Sequence, residues 1–238
     1  MDWNRKLGTL IDITRGLNEI HDNKLIHHDF HCGNILSDNN LLPYITDLGL
    51  CKPANVKTSQ NENKKIYGVL PYVAPEVLRG KEYTQASDIY GFGIIAHEVC
   101  TGLPPYHDIA HEESLAIRIC QGLRPKSNYK IPQLILDVIK QCWDADPLKR
   151  PKSEELKKLF EDLYDDSYDE DNSIINKQIK EASEINKQIS SSTASSSSTS
   201  ILTYNTHPQA VYTSRLLDFK NLPEPKNTDD LGNWNSLY

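Results

Sequence analysis

"LIHHDFHCGNIL", residues 25–36, sets three histidines, an aspartate, a cysteine and an asparagine between two apolar pairs. Two chemistries compete for this stretch. His, Cys and Asp are all metal ligands, so the cluster could hold a metal ion. Alternatively, only Asp29 and Asn34, five residues apart, do chemistry and the others support a loop. The surrounding chain has to decide.

Upstream, Trp3, Leu7, Leu10, Ile13, Leu17 and Ile20 recur at spacings of three and four and predict a helix over 3–20. Downstream, "NIL" (34–36) and "YIT" (44–46) flank the turn-rich "SDNNLLP" and read as two short strands. Residues 50–68 are polar and aperiodic, a loop. "SDIYGFGIIAHEVCT" (87–101) is apolar nearly all round, which predicts a helix buried on most sides. Ser87 or Asp88 can cap its start, and Gly102 followed by Pro104 ends it. Further helices are expected at 112–122, at 132–143 and at 153–164, the last capped by Ser153.

The formal charge of −7 and the absence of a basic stripe argue against nucleic-acid binding. Five scattered cysteines with no C-x-x-C pair suit a reducing compartment. No apolar run approaches about 18 residues, so no membrane partner is expected. "MDWNRKLGTL" lacks the apolar core of a signal peptide. The cytoplasm is the expected location, with the nucleus as the other choice. After residue 164 the composition changes to an acidic run (165–172), a short near-repeat of "INKQI" (175–179 and 185–189) and an almost pure Ser/Thr tract (190–200). Such a stretch buries too little apolar surface to offset its ordering entropy, so 165–238 is read as a mostly disordered tail. Within it, "VYTSRLLDF" (211–219) could dock locally.

Asp29 and Asn34 are followed by "DLG" (47–49), "GVLPYVAPE" (68–76), "SDIYGFG" (87–93) and "CWDADPLKRP" (142–151). This order of motifs resembles the catalytic half of a eukaryotic protein kinase, of the tyrosine-kinase-like or serine/threonine type, over residues 1–164. The resemblance implies a mainly α, kinase-like large (C-terminal) lobe with a short β-hairpin at the catalytic cleft. It implies ATP and magnesium as cofactors and a protein hydroxyl as acceptor. Asp29 would receive the acceptor hydroxyl. Asn34 and Asp47 would supply oxygens to magnesium. Leu36 would lie under the adenine. His27 would be a structural histidine stacked below Leu48. Glu76 and Arg150 would form a buried ion pair, and Asp88 would hold the backbone of the catalytic loop. A structural zinc leaves both the flanking apolar pairs and the later "DLG" unexplained.

The chain departs from the family's pattern in several places. His28 stands where many kinases carry an arginine that receives an activation-loop phosphate. Histidine is charged only about a quarter of the time at pH 7 and cannot make the bidentate contact. Phosphorylation at the candidate positions Thr58, Ser59 and Tyr67 is therefore expected to matter less here. His31 replaces the lysine that lies near the transferred phosphate, and joins Asp29 and Asn34 as the catalytic set. Val69 replaces a threonine, and Leu48 a phenylalanine. Residues 1–238 contain neither a G-x-G-x-x-G loop nor the lysine-bearing strand of the ATP-binding N-terminal lobe. Two functions are consistent with this. One is a kinase-type domain that transfers phosphate to Ser/Thr or Tyr when joined to its missing lobe. The other is a pseudokinase-like module that binds partner proteins through its helical lobe and tail.

Overall fold

A computed structural model describes residues 1–38, 42–54, 66–169, 173–194 and 204–227. The lobe is mainly helical, as the apolar periodicities predict. Helix α1 (Trp3–Asp22) opens with Asp2, whose carboxylate accepts from the Arg5 amide at 2.8 Å. Its stripe of Trp3, Leu7, Leu10, Ile13 and Leu17 is buried, and the helix packs along α6 (Ser153–Asp166). The two short strands are β2 (Ile35–Ser37) and β3 (Pro43–Ile45), paired antiparallel with Leu36 opposite Tyr44. Two-residue strands β1 (Leu25–Ile26) and β4 (Lys52–Pro53) form a second small pair. β4, and β5 (Ile66–Gly68), fall in the stretch read as loop. Both are too short to show a period, and their partners lie elsewhere in the chain.

Helix α3 (Gln85–Thr101) is the axis of the lobe. Ile89, Tyr90, Phe92, Ile94, Ile95 and Ala96 are each at most 1% exposed. A Cβ on Gly91 would stand 2.8 Å from the Phe30 carbonyl oxygen, so glycine at 91 lets the loop at 27–34 lie against the helix. The Phe92 ring meets Phe160 of α6 edge-on at 5.7 Å. Truncating such a ring typically costs about 3–5 kcal/mol. Around α3 stand the short α2 (Pro75–Leu78), α4 (Glu113–Cys120) and α5 (Gln133–Cys142).

The start of α3 corrects the sequence reading. The cap is Thr84, not Ser87 or Asp88. Thr84 Oγ1 accepts from the Ser87 amide at 3.3 Å, and Ser87 Oγ accepts from the Thr84 amide at 2.9 Å. This reciprocal pair leaves the Asp88 carboxylate free for the loop at 27–34. Ser153 is likewise the first helical residue of α6 and not its cap. Its hydroxyl donates to Asn18 Oδ1 at 3.1 Å, tying α6 to α1.

The second correction concerns the tail. The described parts of 165–238 are not structureless. Helix α7 (Ile174–Ala194) packs on α6, with Ile175 and Ala182 at most 1% exposed. Residues 204–227 run across the lobe, and their strand β6 (Arg215–Leu217) pairs antiparallel with β5, Tyr67 opposite Leu216. Local composition suggested disorder, but the apolar partners of these segments lie on the distant lobe.

Candidate active site

The loop at 27–34 is fixed from beneath by Asp88. Its carboxylate accepts from the His27 amide (2.8 Å), the His28 amide (3.2 Å) and His21 Nε2 (3.0 Å). All three groups are thereby satisfied in a place where few waters reach. His28 adopts a left-handed backbone, φ 77°, and turns the chain toward Asp29. His27 is fully buried, and its Nε2 donates to the Thr46 carbonyl at 3.0 Å. This bond ties the loop to the strand end before Asp47. Leu48 is 52% exposed, and the His27 ring lies 5.3 Å from Phe30.

Asn34 ties the backbone at Asp29 to the strand end before Asp47. Its side-chain amide donates to the Asp29 carbonyl at 2.8 Å, and its own carbonyl accepts from the Thr46 amide at 2.8 Å, one residue before Asp47. The Asn34 Nδ2 is thus engaged by the loop. Asp47 sits at φ 57°, ψ 51°, with its side chain exposed. Asp29, His31, Asn34 and Asp47 line one open cleft of about 830 Å³, together with Tyr67 and Ser214. Leu36 is on β2 and 57% exposed.

His31 is buried, and its Nδ1 accepts from the Gly33 amide at 3.1 Å. Neutral, it must therefore carry its proton on Nε2, which faces Asp29 Oδ2 at 3.5 Å and Ser214 Oγ at 3.2 Å. A Cβ on Gly33 would come within 2.8 Å of the imidazole, so glycine is what lets the ring fold back here. Burial pushes the Asp29 carboxyl up. The hydrogen bonds from His31 and Ser214 and the charge of nearby imidazoles more than offset this, and its pKa is lowered on balance. Asp29 is a carboxylate at neutral pH.

The ion pair predicted from the motifs is present. Arg150 donates to both Glu76 oxygens, at 2.7 and 2.8 Å, and both side chains are at most 5% exposed. His28 lies stacked on Tyr83, ring centroids 4.1 Å apart, and burial, with Lys52 nearby, lowers its pKa to about 4. It is neutral at pH 7, further from charge than its type alone implies. Val69 is buried and offers no hydroxyl to Asp29. Thr58 and Ser59 lie outside the described residues. Tyr67 is described, on β5, and is 46% exposed. Among the described residues, no three or more His, Cys, Asp or Glu side chains gather to hold a metal ion. Asn34 and Asp47 offer the hard oxygen donors that suit magnesium, which keeps several ligands from water and phosphate.

Residues 1–160 match the family model described as protein tyrosine and serine/threonine kinase. The chain belongs to the protein kinase family. It is 32% identical over 190 residues to an Arabidopsis thaliana protein kinase and PP2C-like domain-containing protein, covering 65% of this chain and 29% of that one. It is 33% identical over 150 residues to a human dual serine/threonine and tyrosine protein kinase, covering 61% and 16% respectively. A Dictyostelium discoideum protein described as a probable serine/threonine-protein kinase is 32% identical over 150 residues, covering 63% and 11%. This kinase-family chain thus spans less than a third of the length of each of these relatives. Sequence reasoning missed Ser214 and Tyr212 at the cleft. The signal available was the cluster of apolar and aromatic residues in 211–219, Val211, Tyr212, Leu216, Leu217 and Phe219, within a polar stretch.

Proposed function

We propose that this chain carries the acceptor and metal-binding side of a protein kinase site. The transfer runs from Mg-ATP to a Ser, Thr or Tyr hydroxyl of a protein. The observation that carries this reading is a serine hydroxyl, that of Ser214, donating to Asp29 Oδ2 at 2.5 Å in the cleft that Asn34 and Asp47 also line. A carboxylate held ionised beside a hydroxyl can take its proton as that oxygen attacks phosphorus. Asn34 and Asp47 would hold magnesium, which neutralises charge on the phosphates. His31 orients the Asp29 carboxylate and brings no positive charge while neutral.

As a separate chain, residues 1–238 are proposed to be inactive toward ATP. Leu36, Leu42, Tyr44, Leu48 and Leu50 are each at least 40% exposed, on and next to the β2–β3 hairpin. A cluster of this kind suits a surface made to be covered. The ATP-binding lobe is its fitting cover, since Leu36 would then become the adenine floor. Two measurements test the reading. Phosphate incorporation into protein hydroxyls by the protein expressed from its own gene should fall at least about a hundredfold with Asp29→Asn; an unchanged rate overturns it. Thermal unfolding of residues 1–238 should not shift with Mg-ATP. A clear shift abolished by Asp47→Asn would overturn the inactivity of the separate chain.

A further inference from the structure

We propose that residues 211–219 fill this chain's own acceptor groove as a substrate-like peptide, with Ser214 as its phosphorylation site. This deepens the kinase reading and rests on it. Three independent contacts place the segment. The Ser214 hydroxyl donates to Asp29 Oδ2 at 2.5 Å and lies 3.2 Å from His31 Nε2. Strand β6 adds to the edge of β5, so main-chain pairing supplies sequence-tolerant affinity, the usual physics of an extended peptide on a sheet edge. Alternate side chains then read the sequence. Leu217 points inward at 3% exposure while Leu216, its neighbour, is 53% exposed.

The flanks are equally engaged. Tyr212, two before the serine, donates its hydroxyl to the Pro105 carbonyl at 3.0 Å and packs edge-on against His111 at 4.9 Å. Arg215, one after the serine, donates to the His111 carbonyl. Farther out, the His111 amide donates to the Gln209 carbonyl at 2.9 Å, and the Lys226 amide to the Cys120 carbonyl at 2.9 Å. The groove therefore selects a hydroxyl residue with an aromatic side chain two before it, arginine one after and leucine three after. Peptides of that class are its external substrates.

Phosphorylation forms the bond from Ser214 Oγ to the terminal phosphorus of ATP and breaks the bond from that phosphorus to the bridging oxygen. ADP leaves, and the hydroxyl proton passes through Asp29 to solvent. The product carries about −1.5 to −2 charge at pH 7 directly against the Asp29 carboxylate. That repulsion expels the segment and opens the groove. Unmodified, residues 211–219 keep other substrates out.

The test uses the full 238-residue chain, hydrogen–deuterium exchange, and a fluorescein-labelled peptide of residues 208–221. Leu217→Asp removes the buried anchor, and Ser214→Glu imitates the phosphate charge at a partly exposed position. Both should raise exchange at 66–68 and 215–217 at least about tenfold, with exchange at 89–96 unchanged. The peptide should bind both variants at least about tenfold more tightly than wild type, because the tethered copy competes at an effective concentration on the order of mM. Unchanged exchange at 66–68 in both variants, or no peptide binding to the opened chain, overturns the proposal. Release by Leu217→Asp but not by Ser214→Glu removes Ser214 from the acceptor position and also overturns it. If Leu217→Asp raises exchange at 89–96, the Ser214→Glu result alone decides. None of these readouts needs nucleotide, so they stand apart from any failure of the chain to transfer phosphate.

Discussion

Replacing Glu76 with glutamine tests how the lobe is held together. The carboxylate is 5% exposed and the Arg150 guanidinium fully buried, with both of its terminal nitrogens at 2.7–2.8 Å from the Glu76 oxygens. Arg150 also donates to the Ala86 and Asp144 carbonyls, both at 2.9 Å, and lies 5.3 Å from the centre of the Tyr90 ring. Those contacts keep the guanidinium in place when its counter-charge is removed, so the cation stays buried without compensation. Breaking such a pair from one side costs about 3–5 kcal/mol. That is about a fifth or more of the roughly 5–15 kcal/mol that holds a typical domain folded. At about 2 kcal/mol per M of urea, the unfolding midpoint should fall by on the order of 2 M. Arg150→Met should cost a similar amount, because it leaves the buried carboxylate alone. The double variant, Glu76→Met with Arg150→Met, removes both charges. It should recover most of the loss, short of about 1 kcal/mol for each carbonyl that loses its donor. Urea titrations of wild type, Glu76→Met, Arg150→Met and the double variant close the cycle. Additive losses, or a single-variant loss under about 1 kcal/mol, would refute the reasoning. In 1 M salt the cost should persist, since screening acts weakly on buried pairs, whereas the exposed Arg15–Glu161 pair should contribute almost nothing.

Two further perturbations follow from the same geometry. Asp88→Asn removes the charge shared by the His27 and His28 amides and the His21 ring. It should cost about 1.5–3 kcal/mol, the range for a hydrogen bond to a charged group, and raise hydrogen exchange at residues 27 and 28; unaltered exchange there would show that the loop is fixed by something else. Burial lowers the His97 imidazole to about 4, so the folded chain resists a proton that the unfolded chain accepts near 6.5. Stability from this group is full above about pH 6.5 and is lost progressively down to about pH 4, by up to roughly 3 kcal/mol at 1.36 kcal/mol per pKa unit. His28 adds in the same direction, but less, because solvent reaches it. Urea midpoints of His97→Gln should therefore vary less between pH 4 and 6.5 than those of wild type, and parallel curves would contradict this.

What the sequence revealed depended on how local each cause was. α1 and α3 were legible because burial writes its period directly into the chain, one stripe in the first and apolar residues all round in the second. Glu76, Arg150 and Asp88 were legible only through the order of motifs, since nothing near each residue points to a partner 60 to 74 positions away. Thr84 was missed as a cap because Ser87 and Asp88 are equally good capping types, and only the fold shows that the catalytic loop claims Asp88. In α7, Ile175, Ile179 and Ala182 lie four and three apart, a helical stripe hidden by the polar composition around it. Leu217 was harder still. Its burial depends on β5, whose position is set by the whole lobe.

The segment carrying β5 shows what replaces an absent charge. Where a kinase of the usual pattern presents arginine to a phosphate, His28 is neutral and stacked on Tyr83. Burial pushes the Tyr83 phenol up, so it keeps its proton and donates it to the Tyr67 carbonyl at 2.7 Å. One edge of β5 is thus joined to the catalytic loop through a ring stack and one hydrogen bond, and the strand is further held by pairing with β6. Neither tie is an ion pair. A phosphate-to-arginine clamp is switched on by adding charge and weakens with salt. Here the strand is already ordered without any added charge, and a phosphate on the neighbouring loop would find no cation at residue 28. The place where added charge acts strongly is the opposite one, at Ser214, where it meets the Asp29 carboxylate and opens what the β5–β6 pairing holds closed.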